Sequence, residues 1–547
     1  MRVAARLIVA VLIAIGIARI ISTYPIFNHT IDEAAHLACG IQWYQGAYTY
    51  DPKHTPIARM SIALLPYLDG LRGYGDSSFW QEGVRLLSSE GHYWRNLTLA
   101  RIGILPYFIL ATVMVYLWAR RVYGVGTAVL AAGIFTLLPV VLAHSGLATT
   151  DIALTAFFLI AAYTFTDWLS APNWRNAMVF GLAAGLAIST KLSTLAFLPA
   201  TMIAVIPFYL ASTRSNDDRR RTRSVLGSAA IALICVCMVI WACYRFSHAP
   251  IDQISSAPDR IADRAFGAGS GIARKVHALT LSIQLPAPDL YAGLRGLRDV
   301  NREGPRSYLF GQINQGGWWY FYPVAIAFKT PLAVLLLAII GSASLLSSWL
   351  RARAQWVPLV PLLAAIAVVA VVMPSRLDIG VRHVMPVFAF MAMLAAVGAV
   401  TLWNRHSKLT RVATVGLLAW LVASSVMAHP DYLSYFNELG GSNPAQILVI
   451  SDLDWGQDLT RLSGYLRQHQ VKHVSIAYEN YFDGPALGLP DSVRLRCGEP
   501  ATGWVAVEER RARVFPECYR WIGPRPPIAY AGKSMRIYYL PETLSAR

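Results

Sequence analysis

The residues best suited to catalysis lie in the stretch 28–36, shortly after the first apolar run. Asp32 and Glu33 are adjacent acids, and His36 follows one helical turn later. Such a group could supply a general base or the ligands of a metal ion. Helix capping is the simpler explanation, because Asp32 suits an N-cap and Glu33 suits a first turn. The order D-E-x-x-H differs from the H-E-x-x-H of zinc proteases, which disfavours that class.

Basic residues form a second group at Lys53, His54 and Arg59. They could bind an anion at the level of lipid headgroups, or they could act only as an interfacial anchor. No nucleotide-binding motif, neither G-x-G-x-x-G nor a P-loop, accompanies them. The sequence therefore leaves open whether these cations bind a substrate or the membrane surface.

Further charged residues stand at the ends of later apolar runs. Asp151 suits a helix cap, whereas Lys191 and Lys329 could extend along their helices to reach the interface. Ionisable residues close to a membrane are functional candidates by default. The turn 375–383 adds a crowded group, within which the first two residues could form a surface pair: Arg376, Asp378, Arg382 and His383.

The elements that position these residues are predicted from composition. Of 547 residues, 55% are hydrophobic and 14% are charged, whereas a soluble domain averages about 25% charged residues. The mean hydropathy is +0.43, and the apolar runs are long enough to cross a bilayer. The net charge of +17 comes from Lys and Arg in short clusters between those runs. This pattern is typical of a multi-pass membrane protein and argues against nucleic-acid binding.

About eleven transmembrane helices are predicted. The run 177–210 is too long for one helix, so we expect a tight turn at Ser189–Lys191. The predicted spans lie near Ala4–Ile21, Ile102–Trp118, Gly124–Leu142, Ile152–Trp168, Ala177–Ser189, Leu192–Leu210, Val225–Cys243, Pro323–Leu346, Val357–Met373, Val384–Leu402 and Val412–Met427.

Orientation follows from the basic loops, which all fall on one side if there are eleven spans. These loops are Arg120–Arg121, Arg214–Arg223, Arg351–Arg353 and Arg405–Arg411. We assign them and the N-terminus to the cytoplasm. The first long loop (24–100), the second long loop (245–322) and the C-terminal segment then share the opposite face. The chain is thus predicted to have a membrane domain at 1–428 and an extracytoplasmic domain at 429–547.

The C-terminal segment is predicted to be a small α/β domain because strand and helix patterns alternate. If it lies outside the cytoplasm, a disulfide between Cys497 and Cys518 is plausible. The predicted elements are a strand at Gln446–Ser451, a helix at Trp455–Gln468, and strands at Lys472–Tyr478, Gly503–Val507 and Met535–Leu540.

Several of these pieces together resemble the family 39-type glycosyltransferases, which include protein O-mannosyltransferases and the aminoarabinose transferases that modify lipid A. The resemblance runs across almost the whole chain and implies the GT-C membrane fold. The pieces that carry it are Asp32-Glu33 with His36 and Gly40, His54-Thr55-Pro56-Ile57, His144 to Asp151, Gly316 to Tyr320 with Lys329-Thr330-Pro331, Arg382 to Pro386, Tyr435-Phe436-Asn437 and Asp452 to Leu459.

The resemblance implies transfer of a sugar from a polyprenyl phosphate to a protein, lipid or cell-envelope glycan, with inversion, at the outer face of the plasma (inner) membrane. Asp32 would be the general base, with Glu33 beside it, and a divalent cation is possible but unassigned. Thr55 departs from the family's usual proline, and some relatives have lysine where this chain has His54. The implied phosphate-binding residues are His54, Arg59, Lys191 and Arg382; the supporting residues are His36, Asp151, Lys329 and His383; the acceptor contacts are Tyr435, Asn437, Asp454 and Gln457.

Two other functions fit a polytopic protein. A transporter or flippase for polyprenyl-linked lipids or glycans would need polar residues through the bilayer depth, whereas the charged residues here lie at the outer ends of the runs. No inverted pair of broken helices is evident in the sequence. A non-catalytic scaffold that presents the C-terminal domain would be favoured if that domain alone bound a partner and Asp32 proved dispensable.

Overall fold

Long apolar helices dominate the computed structural model, which describes residues 2–212, 216–255, 257–267, 269–352 and 355–541. Arg214 and Arg353 of the predicted basic loops lie outside the described residues. The helices are α1 (Arg2–Ile21), α2 (Ile31–Tyr44), α3 (Pro56–Leu68), α4 (Phe79–Leu87), α5 (Tyr93–Ile102), α6 (Leu105–Tyr123), α7 (Val125–Leu137), α8 (Pro139–Ser145), α9 (Asp151–Ser170), α10 (Trp174–Ile188), α11 (Thr194–Ser212), α12 (Asn216–Cys243), α13 (Ile251–Ile254), α14 (Ala257–Phe266), α15 (Gly271–Ser282), α16 (Pro288–Glu303), α17 (Phe321–Lys329), α18 (Leu332–Ala352), α19 (Val360–Val372), α20 (Pro386–Trp403), α21 (Lys408–Met427), α22 (Leu459–Gln468) and α23 (Glu509–Val514).

Nine short strands accompany these helices. They are β1 (His248–Pro250), β2 (Gln284–Pro286), β3 (Ser307–Leu309), β4 (Gln312–Asn314), β5 (His473–Ala477), β6 (Asp491–Arg494), β7 (Gly503–Glu508), β8 (Ala529–Ala531) and β9 (Met535–Leu540). The first two pairs are antiparallel ribbons within the second long loop, and the remaining five strands form one sheet.

Each of the eleven predicted apolar runs is helical. Eight helices among the described residues are long and apolar enough to span a membrane, and α7 with α8 makes a ninth if that bent pair is one span. The other two runs form the shorter apolar helices α10 and α19. A multi-pass helical membrane protein is therefore confirmed.

Prolines divide two of the predicted runs. The α7–α8 pair bends by 66° at Leu138, whose backbone is extended because Pro139 follows it. The predicted span Pro323–Leu346 is likewise two helices, because Thr330 is extended in front of Pro331. The predicted tight turn at Ser189–Lys191 is confirmed, since α10 ends at Ile188 and α11 begins at Thr194.

The first long loop folds into four helices, α2 to α5, that pack on one another. Gly40 permits the close approach of α2 and α3, because a Cβ there would lie 2.2 Å from the Arg59 carbonyl oxygen. The second long loop contains α13 to α16 and the two ribbons. Both loops are thus folded layers above the helices, and the first of them carries Asp32.

The C-terminal segment contains a five-stranded sheet in the order β6-β5-β7-β9-β8. Strand β5 runs parallel to both β6 and β7, while β9 runs antiparallel to β7 and β8. Leu462 and Leu466 of α22 belong to the main hydrophobic core together with Ile537 of β9. Cys497 and Cys518 form a disulfide. The predicted α/β character is confirmed.

The predicted strand at Gln446–Ser451 is wrong. Its apolar residues Val449 and Ile450 are buried against Tyr308 of β3, so the run is apolar without belonging to a sheet. The chain turns back immediately, and the backbone N–H groups of Leu453 and Asp454 donate to the Val449 carbonyl oxygen. The helix predicted from Trp455 begins later, at Leu459.

Candidate active site

Asp32 lies in the first turn of α2, where its side chain is 18% exposed. The N-cap of this helix is Thr30, whose backbone N–H donates to Glu33 Oε2 at 2.7 Å. Capping, the simpler explanation for both acids, therefore involves Thr30 and Glu33. Asp32 takes part in neither of these capping bonds.

Glu33 is fully buried and is saturated by the chain itself. Arg101 donates to it from Nε at 2.8 Å and from Nη2 at 2.9 Å, forming a two-pronged ion pair. The backbone N–H of Ala148 adds a third contact at 2.8 Å. Burial by itself raises the pKa of Glu33, but the Arg101 charge and these donors hold the pKa below its ordinary value. Glu33 thus fixes α2 to α5 and to the turn that precedes Asp151.

Arg382 joins Asp32 to a second ion pair. Its Nη1 donates to Asp32 Oδ2 at 2.9 Å and lies 3.9 Å from Asp151 Oδ2. Asp151 is fully buried and accepts from Lys191 Nζ at 2.6 Å. Four predicted residues from four distant segments therefore meet in one alternating cluster of two acids and two cations.

The C-terminal segment holds Arg382 in this cluster. The guanidinium carbon lies 4.2 Å from the centre of the Trp455 ring, within the range of a cation–π contact. Gly380, in the left-handed region at φ +122°, leads into the turn, and a Cβ there would lie 2.2 Å from Ser451 Oγ. Asp452 Oδ1 accepts from the backbone N–H of Val381 at 3.0 Å.

Trp455 was missed as a site residue by the sequence reasoning. Its motif, Asp452 to Leu459, is distinctive in the sequence, but nothing local indicates that the indole would lie against Arg382. A cation–π partner at such a separation becomes visible only when the chain is folded. The sequence itself showed only a tryptophan between closely spaced aspartates.

His54, Arg59 and His36 form a neighbouring cluster around Asp51. Asp51 Oδ2 is 2.9 Å from His54 Nδ1 and accepts from Arg59 Nη2 at 2.7 Å. Arg59 Nε also donates to His36 Nδ1 at 3.2 Å. Burial by itself raises the pKa of Asp51, but His54 and Arg59 outweigh it and hold the pKa well below its usual range. Arg59 is buried and committed to this ionised acid, whereas His54 is 34% exposed.

Two of the predicted supporting residues, Lys329 and His383, differ in their distance from Arg382 along the chain and in their partners. Lys329 is separate from the Asp32 cluster, since its Nζ donates to the carbonyl oxygens of Leu433 at 2.7 Å and Asp452 at 2.5 Å. It thereby ties α17 to the C-terminal segment. His383 follows Arg382 directly, and its Nε2 is buried without a partner among the described residues.

The four predicted acceptor contacts are all buried. Asn437 Nδ2 donates to the carbonyl oxygens of Ala327 and Thr330. Asp454 accepts from the backbone N–H groups of Gly456 and Arg510, and burial raises the pKa of Asp454 to about 7. The remaining two are Gln457, whose amide bonds to the backbone of Trp455 and Leu453, and Tyr435.

Comparison with known proteins bears on part of this arrangement. Residues 96–241 match the sequence family described as dolichyl-phosphate-mannose-protein mannosyltransferase. This match confirms the predicted resemblance. The enzyme class that it implies, a membrane glycosyltransferase, is confirmed with it. The matched segment contains Arg101, Asp151 and Lys191, whereas Asp32 and Arg382 lie outside it.

The solved structures to which the chain is similar are distant from it in sequence. The apo oligosaccharyltransferase of Archaeoglobus fulgidus is 14% identical with a TM-score of 0.49, over 94% of this chain and 71% of that one. ArnT from Cupriavidus metallidurans bound to undecaprenyl phosphate is 11% identical with a TM-score of 0.48, over 98% of this chain and 99% of that one. A search of curated protein sequences found no match to this chain.

A divalent cation was left open by the sequence. Within the described ranges, no group of three or more His, Cys, Asp and Glu side chains is placed to hold a metal ion. Asp32 and Asp151 each have a cationic side chain as partner.

Asp378 lies in the turn that leads to Arg382, and it makes the stability of that turn depend on pH. Its Oδ2 accepts from the backbone N–H of Trp318 at 2.5 Å, and burial raises the pKa of Asp378 from 3.8 to about 6. The folded protein therefore holds this proton more tightly than the unfolded chain, and the stability that it confers is lost as pH rises between about 4 and about 6.

We expect the free energy of unfolding of the wild type to fall by about 2 kcal/mol across this pH window, and its melting temperature to fall with it. Asp378→Asn, which keeps an acceptor for Trp318 but cannot ionise, should make this fall shallower, and Asp454, whose pKa is also raised, should account for part of what remains. Thermal unfolding of the purified protein at several pH values measures both. Equal slopes for the two proteins would contradict the assignment.

Proposed function

We propose that the chain transfers a sugar from a polyprenyl phosphate to a hydroxyl group of a protein, lipid or cell-envelope glycan. The observation that carries the proposal is the contact between Asp32 and Arg382, with Lys191 held close by through Asp151. Asp32, a carboxylate that water can reach, contacts one cation, Arg382, and the second cation, Lys191, is bound to Asp151 on the other side of Arg382. A general base needs a carboxylate that the acceptor can reach, and a leaving-group anion needs cations close to it.

The chemistry assigns one task to each side of the cluster. Asp32 takes the proton of the acceptor hydroxyl, whose oxygen then forms a bond to the anomeric carbon. The bond from that carbon to the phosphate oxygen breaks, and the phosphate leaves with both bonding electrons. Arg382 and Lys191 neutralise the charge that develops on the phosphate. Attack opposite the leaving group inverts the anomeric carbon.

The other predicted residues take supporting roles in this proposal. Glu33 positions α2 through Arg101, and Arg59 positions the half-exposed His54 through Asp51. His54 is the member of that cluster that a phosphate could still reach. Of the predicted acceptor residues, Asp454 and Gln457 are bonded to the backbone beside Trp455 and would act on the acceptor through that segment.

The proposal includes a division of the chain and an orientation. Residues 1–428 would form the membrane domain and residues 429–547 the domain that completes its outer face. The disulfide between Cys497 and Cys518 suits an oxidising compartment. The N-terminus and the basic loops would then lie in the cytoplasm, and the membrane would be the plasma (inner) membrane.

Transfer is tested with the purified full-length protein in proteoliposomes that contain polyprenyl phosphates carrying different labelled sugars. An extract of cell-envelope glycans and proteins serves as the acceptor. We expect labelled acceptor and free polyprenyl phosphate to appear in equal amounts with one donor. Movement of the donor lipid between leaflets without any covalent product would support a flippase instead.

A further inference from the structure

Arg382 is shared between two carboxylates that hold it unequally. Asp151 is fully buried and also accepts from Lys191 Nζ at 2.6 Å and Thr149 Oγ1 at 3.2 Å. Asp32 has a single hydrogen bond from a side chain within the described ranges, the one from Arg382 Nη1. Water can reach Asp32, so it loses less than Asp151 would when Arg382 turns away.

The guanidinium has a free edge. Arg382 Nε is buried and has no hydrogen-bond partner among the described residues, although a guanidinium presents five N–H donors in a fixed fork. A buried donor without an acceptor is costly. A phosphate that accepts from Nε and from the adjacent Nη2 would satisfy this edge in a two-pronged contact, which is stronger than a single bond.

The contact between Arg382 and Asp32 is a single hydrogen bond. Among the described residues, Nη1 is the only Arg382 nitrogen that donates a hydrogen bond to the Asp32 carboxylate. A phosphate on the opposite edge would share the one positive charge of Arg382 and would draw the guanidinium across the Trp455 ring. The carboxylate of Asp32 would then lose part of its stabilising partner and become available to accept a proton.

We infer that Arg382 couples donor binding to the release of Asp32, so that the base becomes free only after the donor phosphate has been bound. This inference rests on the proposed function. The order of events then follows from one shared side chain: the donor binds first, and the acceptor is deprotonated afterwards. It also predicts that Asp32 opposes phosphate binding in the resting protein.

The test is a double-mutant cycle on the binding of undecaprenyl phosphate to the purified full-length protein in nanodiscs. The four proteins are the wild type, Asp32→Asn, Arg382→Gln and the double variant. We expect Asp32→Asn to bind about 5- to 10-fold more tightly than the wild type, within the range of couplings between residues in contact. In the Arg382→Gln background, the same substitution should change binding by less than about twofold.

Asp76→Asn is the matched control, because it removes one negative charge from an acid of the first long loop that also pairs with an arginine, Arg85. Its binding should equal that of the wild type. Equal tightening by Asp32→Asn in both backgrounds would show a through-space effect and overturn the coupling, as would no tightening at all. Undiminished sugar transfer by Asp32→Asn would instead remove Asp32 as the general base, whereas absence of transfer by the wild type would overturn the proposed function.

Discussion

Asp32→Asn is expected to lower sugar transfer by about 10²- to 10⁴-fold, which is the usual contribution of a general base. The amide is nearly isosteric with the carboxylate but cannot take the proton of the acceptor hydroxyl. Its neighbours should remain in place, because Thr30 and Glu33 cap α2 independently of Asp32. Transfer of labelled sugar in proteoliposomes measures the loss.

Asp76→Asn again provides the comparison, since Asp76 lies in the same loop and its pair with Arg85 is largely exposed. It should transfer sugar at the rate of the wild type. The melting temperatures of both variants should match that of the wild type, which separates a lost base from lost folding. Undiminished turnover by Asp32→Asn would remove Asp32 from the mechanism.

Arg101→Gln is expected to have the largest effect on stability, lowering the free energy of unfolding by about 3–5 kcal/mol. Arg101 and Glu33 are each 1% exposed, so the substitution leaves a buried carboxylate without its counter-charge. Arg101 also donates to the carbonyl oxygens of Phe27 and Asn28, which would lose their partner. Thermal unfolding and protease resistance in detergent measure the change.

Arg95→Gln is the control, because Arg95 lies on the same helix and pairs with Asp69 but is 56% exposed. An exposed pair contributes between about 0 and 1 kcal/mol, so this variant should unfold close to the wild type. Similar stability losses for the two variants would indicate that α5, rather than the buried ion pair, is the sensitive feature. Failure of Arg101→Gln to accumulate would agree with the expectation if Arg95→Gln accumulates normally.

The sequence alone determined the helical architecture. Apolar runs of membrane-spanning length appear directly in composition, because lipid selects for hydrophobic residues along the whole span. The turn at Ser189–Lys191 was also predictable, since a lysine in hydrocarbon is costly. The strand at Gln446–Ser451 was not predicted correctly, because an apolar run buried by tertiary contacts has the same composition as a strand.

The tertiary structure decided which partners each candidate residue has. Sequence reasoning proposed both Asp32 and Glu33 as catalytic, yet only the fold reveals that Glu33 is committed to Arg101 while Asp32 contacts Arg382, 350 residues away. Residue type and spacing identify groups that are able to do chemistry. Burial, partners and free hydrogen-bonding edges select among them, and those depend on loops that meet only after the helices pack.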